Sequence, residues 1–377
     1  MINTKMNILH ITHRGGGGTE FFLQQLIKNS NKFANPHILR PVSKDLLKIE
    51  YLVDGHIKTE EFFLNSSALF FIIKKFKISH IHIHNLLGYD KNIINLLIDV
   101  KTQYPKIYTV FTIHDYYCFC PAANMRRTKN NCCINPTKAE CMSCTAYKSW
   151  DLHYMTQTGK ENMELFTSLF ASMDKITAPS NDTAERVNIF FPKAKIERIP
   201  HDESYFLTNK TFIPQVRNIN KIKTIVILGE LTQNKGFSII KALAQISVDK
   251  LKICCLGAIE ESEPMPSNVW TTGRYQGDIE ALSLISILNP DLIYMPAIGP
   301  ETYSYALSLG FMSGLPIYVN NVGALAERVS ILRGQQFIIP REIYSNPDQL
   351  LNFMLNCNNQ TKYSYTPNIT PAITYYC

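Results

Sequence analysis

The apolar residues of this 377-residue chain fall into short unbroken runs, separated by longer stretches in which they recur at helical spacing. The runs are "MNILHIT" (6–12), "ISHIHIH" (78–84), "IYTVFTI" (107–113), "KITAP" (175–179), "KIKTIVILG" (221–229), "LKICCLG" (251–257), "DLIYMP" (291–296) and "LPIYVN" (315–320). They are rich in Ile and Val and lack the alternation of a half-solvated sheet, so each reads as a strand covered on both faces. Between them, residues 19–30, 92–103, 162–173, 182–191, 236–247, 279–288 and 302–314 carry apolar side chains three and four apart, the pattern of an amphipathic helix. Strand and helix in alternation predict an α/β protein built on parallel sheets.

The alternation fails over 204–221, "SYFLTNKTFIPQVRNINK", which is polar and aperiodic and is followed by a fresh strand. The pattern therefore predicts two doubly wound domains, 1–205 and 222–360, joined by a linker at 206–221. Residues 361–377 have Pro, Asn and Thr where a helix needs better formers, and are expected to form a loosely attached tail. In open α/β sheets, ligands bind beyond the carboxyl ends of the strands. The unusual polar residues sit there repeatedly, in "HRGGGGTE", "HNLLG", "HDYYCFCP", "GELTQNKG", "GRYQGD" and "GPETYS". Two domains with such loops are expected to face one another across a ligand cleft.

Composition narrows the classes. Hydrophobic residues at 45% and charged residues at 18% describe a globular chain. A net charge of +7 without a long basic block argues against a nucleic-acid partner. No apolar run reaches the ~18 residues of a membrane span. The N-terminal "MINTKMNILHITH" lacks the apolar core and cleavage site of an export signal, so the cytoplasm is the expected location. "SSALFFIIKKFKI" (66–78) joins an apolar stretch to three lysines, either a helix packed on the sheet or a surface for an anionic membrane.

Candidate chemistry follows the strand ends. Gly15, Gly16, Gly17 and Gly18 lie between a strand and a helix whose expected N-cap is Thr19; such a loop lets backbone N–H groups approach phosphate. His80, His82 and His84 share one face of a strand by its period of two, and of these His84, at the strand end, is expected to face the cleft. His114 and Asp115 end another strand, where an imidazole meets a substrate hydroxyl and a carboxylate tunes it. Lys235 and Gly236 open a helix in the second domain, placing a point charge beside directed donors in a manner suited to a diphosphate. Pro300 and Glu301 are expected to begin a further helix, aiming the N–H groups of Tyr303, Ser304 and Tyr305 at an anion and leaving Glu301 for sugar hydroxyls. Arg274 follows a strand in "TTGRY" and is expected to line the cleft. Six of the ten cysteines fall within an insert at 118–144, and Cys120, Cys132 or Cys133, Cys141 and Cys144 offer a thiolate set for a structural zinc.

In this order, "RGGGGTEFFLQQL", "HIHNLLG", "TIHDYYCFCP", "TAPSNDTAERV", "PHDE", "LGELTQNKG", "TTGRY" and "GPETYSYALSLGFMSGLPIY" resemble the glycosyltransferases of family 4, over about residues 7–340. The segment of cysteines after "HDYY" resembles a bacterial subgroup of surface-polysaccharide assembly. The resemblance implies the GT-B fold of two Rossmann-like domains. It also implies hexosyl or related transfer, with retention and without an essential metal, from a nucleotide-diphosphate sugar to a glycan or lipid-linked acceptor at the inner face of the membrane. It assigns Gly16, Gly17, Lys235 and Gly236 to the donor phosphates, His114 to the transferred sugar and Glu301 to its hydroxyls. Two positions depart from the family pattern. Glu230 stands where an arginine is frequent, and Leu309 stands where a second acid holds the ribose. A nucleotide-sugar epimerase and a non-catalytic nucleotide-sugar-binding subunit are the alternatives.

Overall fold

The structure is a computed structural model that describes residues 5–128, 131–144, 158–208, 222–259, 263–357 and 363–377. The chain forms two compact units. The first comprises Met1–Arg127, Asn135–Asp202 and Ile369–Cys377; the second comprises Thr128–Ile134 and Glu203–Asn368.

The first unit is built on strands β1 (Met6–Ile11), β2 (Ala34–Pro41), β3 (Leu46–Val53), β4 (His56–Phe63), β5 (His80–Ile83), β6 (Tyr108–Thr112), β9 (Lys175–Ala178) and β10 (Ile196–Arg198). A short ladder pairs β7 (Arg126–Thr128) with β8 (Asn131–Cys132). The large sheet runs in the order β10-β9-β6-β5-β1-β2-β3-β4. It is parallel from β10 to β2 and antiparallel beyond. Helices α1 (Gly17–Ser30), α2 (Ser66–Lys75), α3 (Ile93–Gln103), α4 (Lys138–Ser143), α5 (Gly159–Ser172) and α6 (Asn181–Phe190) accompany it. Ile8, Leu9, Ile11, Ile81, Ile83 and Val110 are buried along the central strands, as strands covered on both faces require.

The strands β2, β3 and β4 lie outside the eight apolar runs. The hairpin between β3 and β4 turns on Asp54 (φ 50°) and Gly55 (φ 79°), with Val53 opposite His56. Asp-Gly between two extended segments is a strong hairpin signal, because both turn residues need positive φ. In α2, Leu69, Ile72 and Ile73 point into the core and Phe71 is half-exposed, so most of the apolar stretch is spent on packing. Among the described residues, no helix is long and apolar enough to cross a membrane.

The second unit holds β11 (Lys223–Leu228), β12 (Leu251–Leu256), β13 (Val269–Thr271), β14 (Leu292–Met295), β15 (Ile317–Asn320) and β16 (Ile338–Ile339), in the order β13-β12-β11-β14-β15-β16 and parallel throughout. Its helices are α7 (Phe237–Gln245), α8 (Gly277–Leu288), α9 (Tyr305–Met312), α10 (Gly323–Arg333), α11 (Arg341–Tyr344) and α12 (Pro347–Asn356). Cys254 and Cys255 sit inside β12 with no exposed surface, and burial pushes their thiols up to about 11 and about 12. They serve as small apolar residues.

The ends of the elements differ from the sequence expectation in two places. Residues 204–208 close a 3₁₀ turn with Phe206 buried, while 209–221 lie outside the described residues. The final stretch is not loosely attached. Ala372–Tyr376 forms a 3₁₀ turn with Ala372, Tyr375 and Tyr376 buried in the first unit. Lys175 donates to the Thr374 carbonyl (2.7 Å), and Thr370 donates to Asp202 (2.9 Å) and the Pro200 carbonyl (2.8 Å). Two adjacent tyrosines supplied the apolar area that the missing helix formers had concealed.

Candidate functional site

In the second unit, two loops at the carboxyl ends of β11 and β14 are joined through backbone. The turn Thr232–Gly236 is closed by N–H groups of Lys235 and Phe237 to the Thr232 carbonyl and of Gly236 to that of Gln233. Those donors are therefore spent inside the turn, and of the expected diphosphate contacts at Lys235 and Gly236 the half-buried Lys235 ammonium is the one that remains available in type. The Asn234 carbonyl accepts the N–H groups of Ile298 (2.9 Å) and Gly299 (3.4 Å), which fastens this turn to the segment leading to Glu301. Gly236 has φ 85°, and an added Cβ would lie 2.1 Å from the Pro296 carbonyl oxygen. Only glycine permits that approach.

Glu301 is half-buried and precedes the helix rather than beginning it: α9 starts at Tyr305, with Ser304 as its N-cap at φ 73°. The delay has a physical cause in what holds the intervening residues. Tyr303 is buried, and the guanidinium carbon of Arg328 lies 4.0 Å from its ring centroid. Arg328 also donates to the carbonyls of Tyr303 (3.1 Å) and Ser304 (2.9 Å). Its charge is met by Glu203, 2.8 Å away and with no exposed surface. Ser308, Tyr365 and the Asn368 N–H complete the shell of that carboxylate. Burial alone would raise Glu203, but Arg328 and the hydroxyl donors outweigh it and hold the carboxyl below its ordinary value. Glu301 is fixed from the other side by α10. Its carbonyl accepts the Ala324 N–H (3.0 Å), and a Cβ on Gly323 would come within 2.8 Å of Pro300 Cα.

The two departures from the family pattern acquire explanations. Glu230 pairs with Arg274 at 2.7 Å, both largely exposed, so the negative charge after the first glycine turn carries its own cation. Leu309 is 1% exposed in the core of the unit.

In the first unit the glycine loop is exposed, and α1 begins at Gly17 with Gly16 as N-cap, three residues ahead of the expected cap Thr19. Gly15, Gly16 and Gly17 take φ of 124°, 90° and 67°, which side-chain-bearing residues avoid, and Gly18 follows within the helix. Arg40, absent from the sequence reading, anchors this loop. It donates to the His13 carbonyl (2.9 Å) and grips Glu20 through both terminal nitrogens (2.8 and 2.9 Å). Beyond β6, His114 and Asp115 are half-buried. Asp115 accepts from the Asn85 amide and the Tyr117 N–H (2.7 Å), and burial pushes it up to about 6. The side chain bonded to His114 in the way Asp115 was expected to be is His84, Nδ1 to Nε2 at 3.4 Å. His84 itself is 1% exposed and lines a small recess together with Asn85, His114 and Asp115.

Of the predicted thiolate set, Cys141 and Cys144 lie close enough to Cys120 to act on it electrostatically. Cys120 and Cys141 are buried. The Cys132 thiol donates to Asn234 (3.3 Å). Among the described residues, the His, Cys, Asp or Glu side chains that bring three ligand atoms within 4.8 Å of one another are His10, His82 and His84. His80 points to other company, Ser79 and the rings of Tyr108 and Tyr376.

Two α/β units, the first on a mixed but mainly parallel sheet and the second on a wholly parallel one, make up a GT-B fold. HepE of Anabaena in complex with UDP-glucose matches with a TM-score of 0.57 at 11% identity, over 93% of this chain and 89% of that one. A glycosyltransferase of Rickettsia africae matches with a TM-score of 0.57 at 13% identity, over 93% and 87%. The lipopolysaccharide outer core galactosyltransferase WaaB gives a TM-score of 0.51 at 11% identity, over 93% and 98%. At such identities the likeness is one of fold. No family model matches the chain, and no curated protein matches it.

Proposed function

We propose that this chain is a retaining glycosyltransferase of the family 4 kind, moving a hexosyl or related group from a nucleotide-diphosphate sugar to a glycan or lipid-linked acceptor in bacterial polysaccharide assembly. The observation that carries the reading is the backbone join between the Lys235 turn and the Glu301 loop, through the Asn234 carbonyl. A cation and a carboxylate fixed on one frame suit a ligand that is anionic at one end and hydroxylated at the other. The solved structure of HepE with UDP-glucose, which shares the fold, makes such a ligand the first to test.

In this reading Lys235 meets the negative charge that grows on the diphosphate as the sugar departs, a preorganised contribution to catalysis. Glu301 accepts hydrogen bonds from sugar hydroxyls, and His114 contacts the transferred sugar. The chemistry assigned to these groups needs no metal. Lys235→Ala is expected to weaken UDP binding in calorimetry by at least tenfold while leaving the melting temperature nearly unchanged. Unaltered affinity would remove Lys235 from the donor site.

The departures at Glu230 and Leu309 motivate a second reading, a subunit that binds a nucleotide sugar and does not transfer it. Donor binding without product across an acceptor panel supports that reading. Interconversion of the donor alone instead identifies an epimerase.

A further inference from the structure

Behind His114 the first unit holds a row of imidazoles that spans two neighbouring strands. The parallel register of β1 and β5 sets His10 opposite His82. The period of two then places His84 on the same face as His82, and the His84 N–H extends the ladder to the Ile11 carbonyl (2.8 Å). His10 Nδ1 lies 3.1 Å from His84 Nε2, and His84 Nδ1 lies 3.4 Å from His114 Nε2. The row is covered by α1, whose Phe22 ring sits 5.7 Å from His84 and 4.7 Å from His114. His10, His82 and His84 are at most 1% exposed.

The nitrogens of His10, His82 and His84 are close enough to raise the question of a metal. Two features answer it. Both ring nitrogens of His82 are engaged by hydroxyls, Tyr376 at Nδ1 (3.1 Å) and Thr112 at Nε2 (2.7 Å). The rings of His82 and His84 lie 4.0 Å apart between centroids and are inclined by 32°, an overlap that turns their in-plane lone pairs away from a common centre. His82 is thus satisfied apart from the row, and His10, His84 and His114 form a chain of hydrogen bonds.

Burial, followed by repulsion from neighbouring imidazoles, holds all three pKa values well below the ordinary histidine range, with His10 and His114 at about 3. Each ring therefore carries one N–H and one lone pair. A chain of neutral imidazoles has only two consistent polarities. In one, His114 donates inward from Nε2, His84 donates to His10, and the His10 proton is left on Nε2, which has no partner among the described residues. In the other, His10 donates from Nδ1 to His84, His84 donates from Nδ1 to His114, and a lone pair is left at His10 Nε2. Buried donors without an acceptor are the rarer remainder in folded proteins.

We propose that His10 and His84 are positioning residues that fix His114 as the Nδ1–H tautomer, which makes that nitrogen a hydrogen-bond donor and not a base. The deeper meaning, a donor to a sugar oxygen, rests on the transferase reading. The tautomer does not.

The test is a long-range ¹H–¹⁵N spectrum of the full chain labelled at histidine, without ligand at pH 7, with His114 assigned by comparison with His114→Gln. The expected wild-type pattern has a protonated Nδ1 and a lone pair at Nε2 on His114. A protonated Nε2 overturns the proposal. In His84→Leu, the inward donor is gone and His114 is expected to shift to Nε2–H or to a mixture; an unchanged Nδ1–H signature overturns the role of His84. Should His84→Leu not fold, the wild-type spectrum alone decides, and His84→Gln, which keeps an amide donor, is expected to retain Nδ1–H. UDP calorimetry on the same samples reports separately on the transferase reading, so failure of one leaves the other standing.

Discussion

Glu301 is the residue on which the sugar assignment turns. Its backbone is held by Ala324 and Gly323, independently of its charge. Glu301→Gln keeps that frame and removes the carboxylate. The expected loss is about 1.5–3 kcal/mol in kcat/KM with the sugar donor, roughly ten- to a hundredfold, with UDP affinity nearly intact. Equal losses for UDP and the sugar donor would reduce Glu301 to site architecture. Leu309 offers the opposite lesson. Leu309→Glu places a charge in the core and is expected to destabilise the fold without tightening nucleotide binding, as thermal melting with and without UDP would register. Neither outcome was legible from the sequence, which expected Glu301 to begin the helix that in fact starts at Tyr305 and set Leu309 at the ribose position of the family pattern.

At the scale of the element, the start of α9 depends on a partner far away in the chain. Ser304 keeps a positive φ because Arg328 binds its carbonyl and Glu203 neutralises Arg328. Removing one member of a buried ion pair strands the other, and Arg328→Met is expected to cost about 3–5 kcal/mol, read from denaturant midpoints. Gly236→Ala is expected to cost on the order of 3 kcal/mol, since positive φ and the Pro296 carbonyl both oppose a Cβ. A loss under about 1 kcal/mol in either variant would contradict these packing accounts. The same elements show what the pattern of the chain conveyed. Apolar runs located the parallel strands β1, β5, β6, β9, β11, β12, β14 and β15, because burial on both faces leaves a dense local signal, but missed the parallel strand β2 and the short edge strands β10, β13 and β16. The antiparallel β3 and β4 have one more exposed face and gave none. Arg40, Arg328 and Glu203 act through contacts across the fold, and charge in a sequence carries no address. The three-histidine strand was visible, yet the third member of its cluster is His10, supplied by register and not by spacing.

For the molecule as a whole, the buried imidazoles govern stability against acid. His10, His82, His84 and His114 have folded pKa values pushed down chiefly by burial, to about 3 for His10 and His114. The unfolded chain takes up those protons near 6.5, so the stability they represent is complete above that pH and is lost as pH falls towards 3. Asp115, raised by burial to about 6, acts in the opposite sense. The native state keeps a proton that the unfolded chain sheds near 4, so its contribution grows as pH falls through that window. Around pH 5 the four imidazoles outweigh Asp115, so stability rises with pH through this window. Denaturation midpoints for the first unit are expected to fall steeply between pH 6.5 and 5. A flat profile would contradict the neutral imidazole row.

The return of Ile369–Cys377 to the first unit has a consequence for synthesis. A ribosome delivers the strands of that unit early, but Tyr375 and Tyr376 emerge only after the whole second unit has been made. Until then the face bearing His82 lacks the Tyr376 hydroxyl and the cover of both rings. Vectorial folding is thus inverted: the unit begun first is finished last, and the nascent chain must carry an open histidine-rich surface past the birth of its neighbour. Arrested chains ending at Asn368 are expected to protect the second unit from proteolysis while the first is still cut, and full-length chains to protect both.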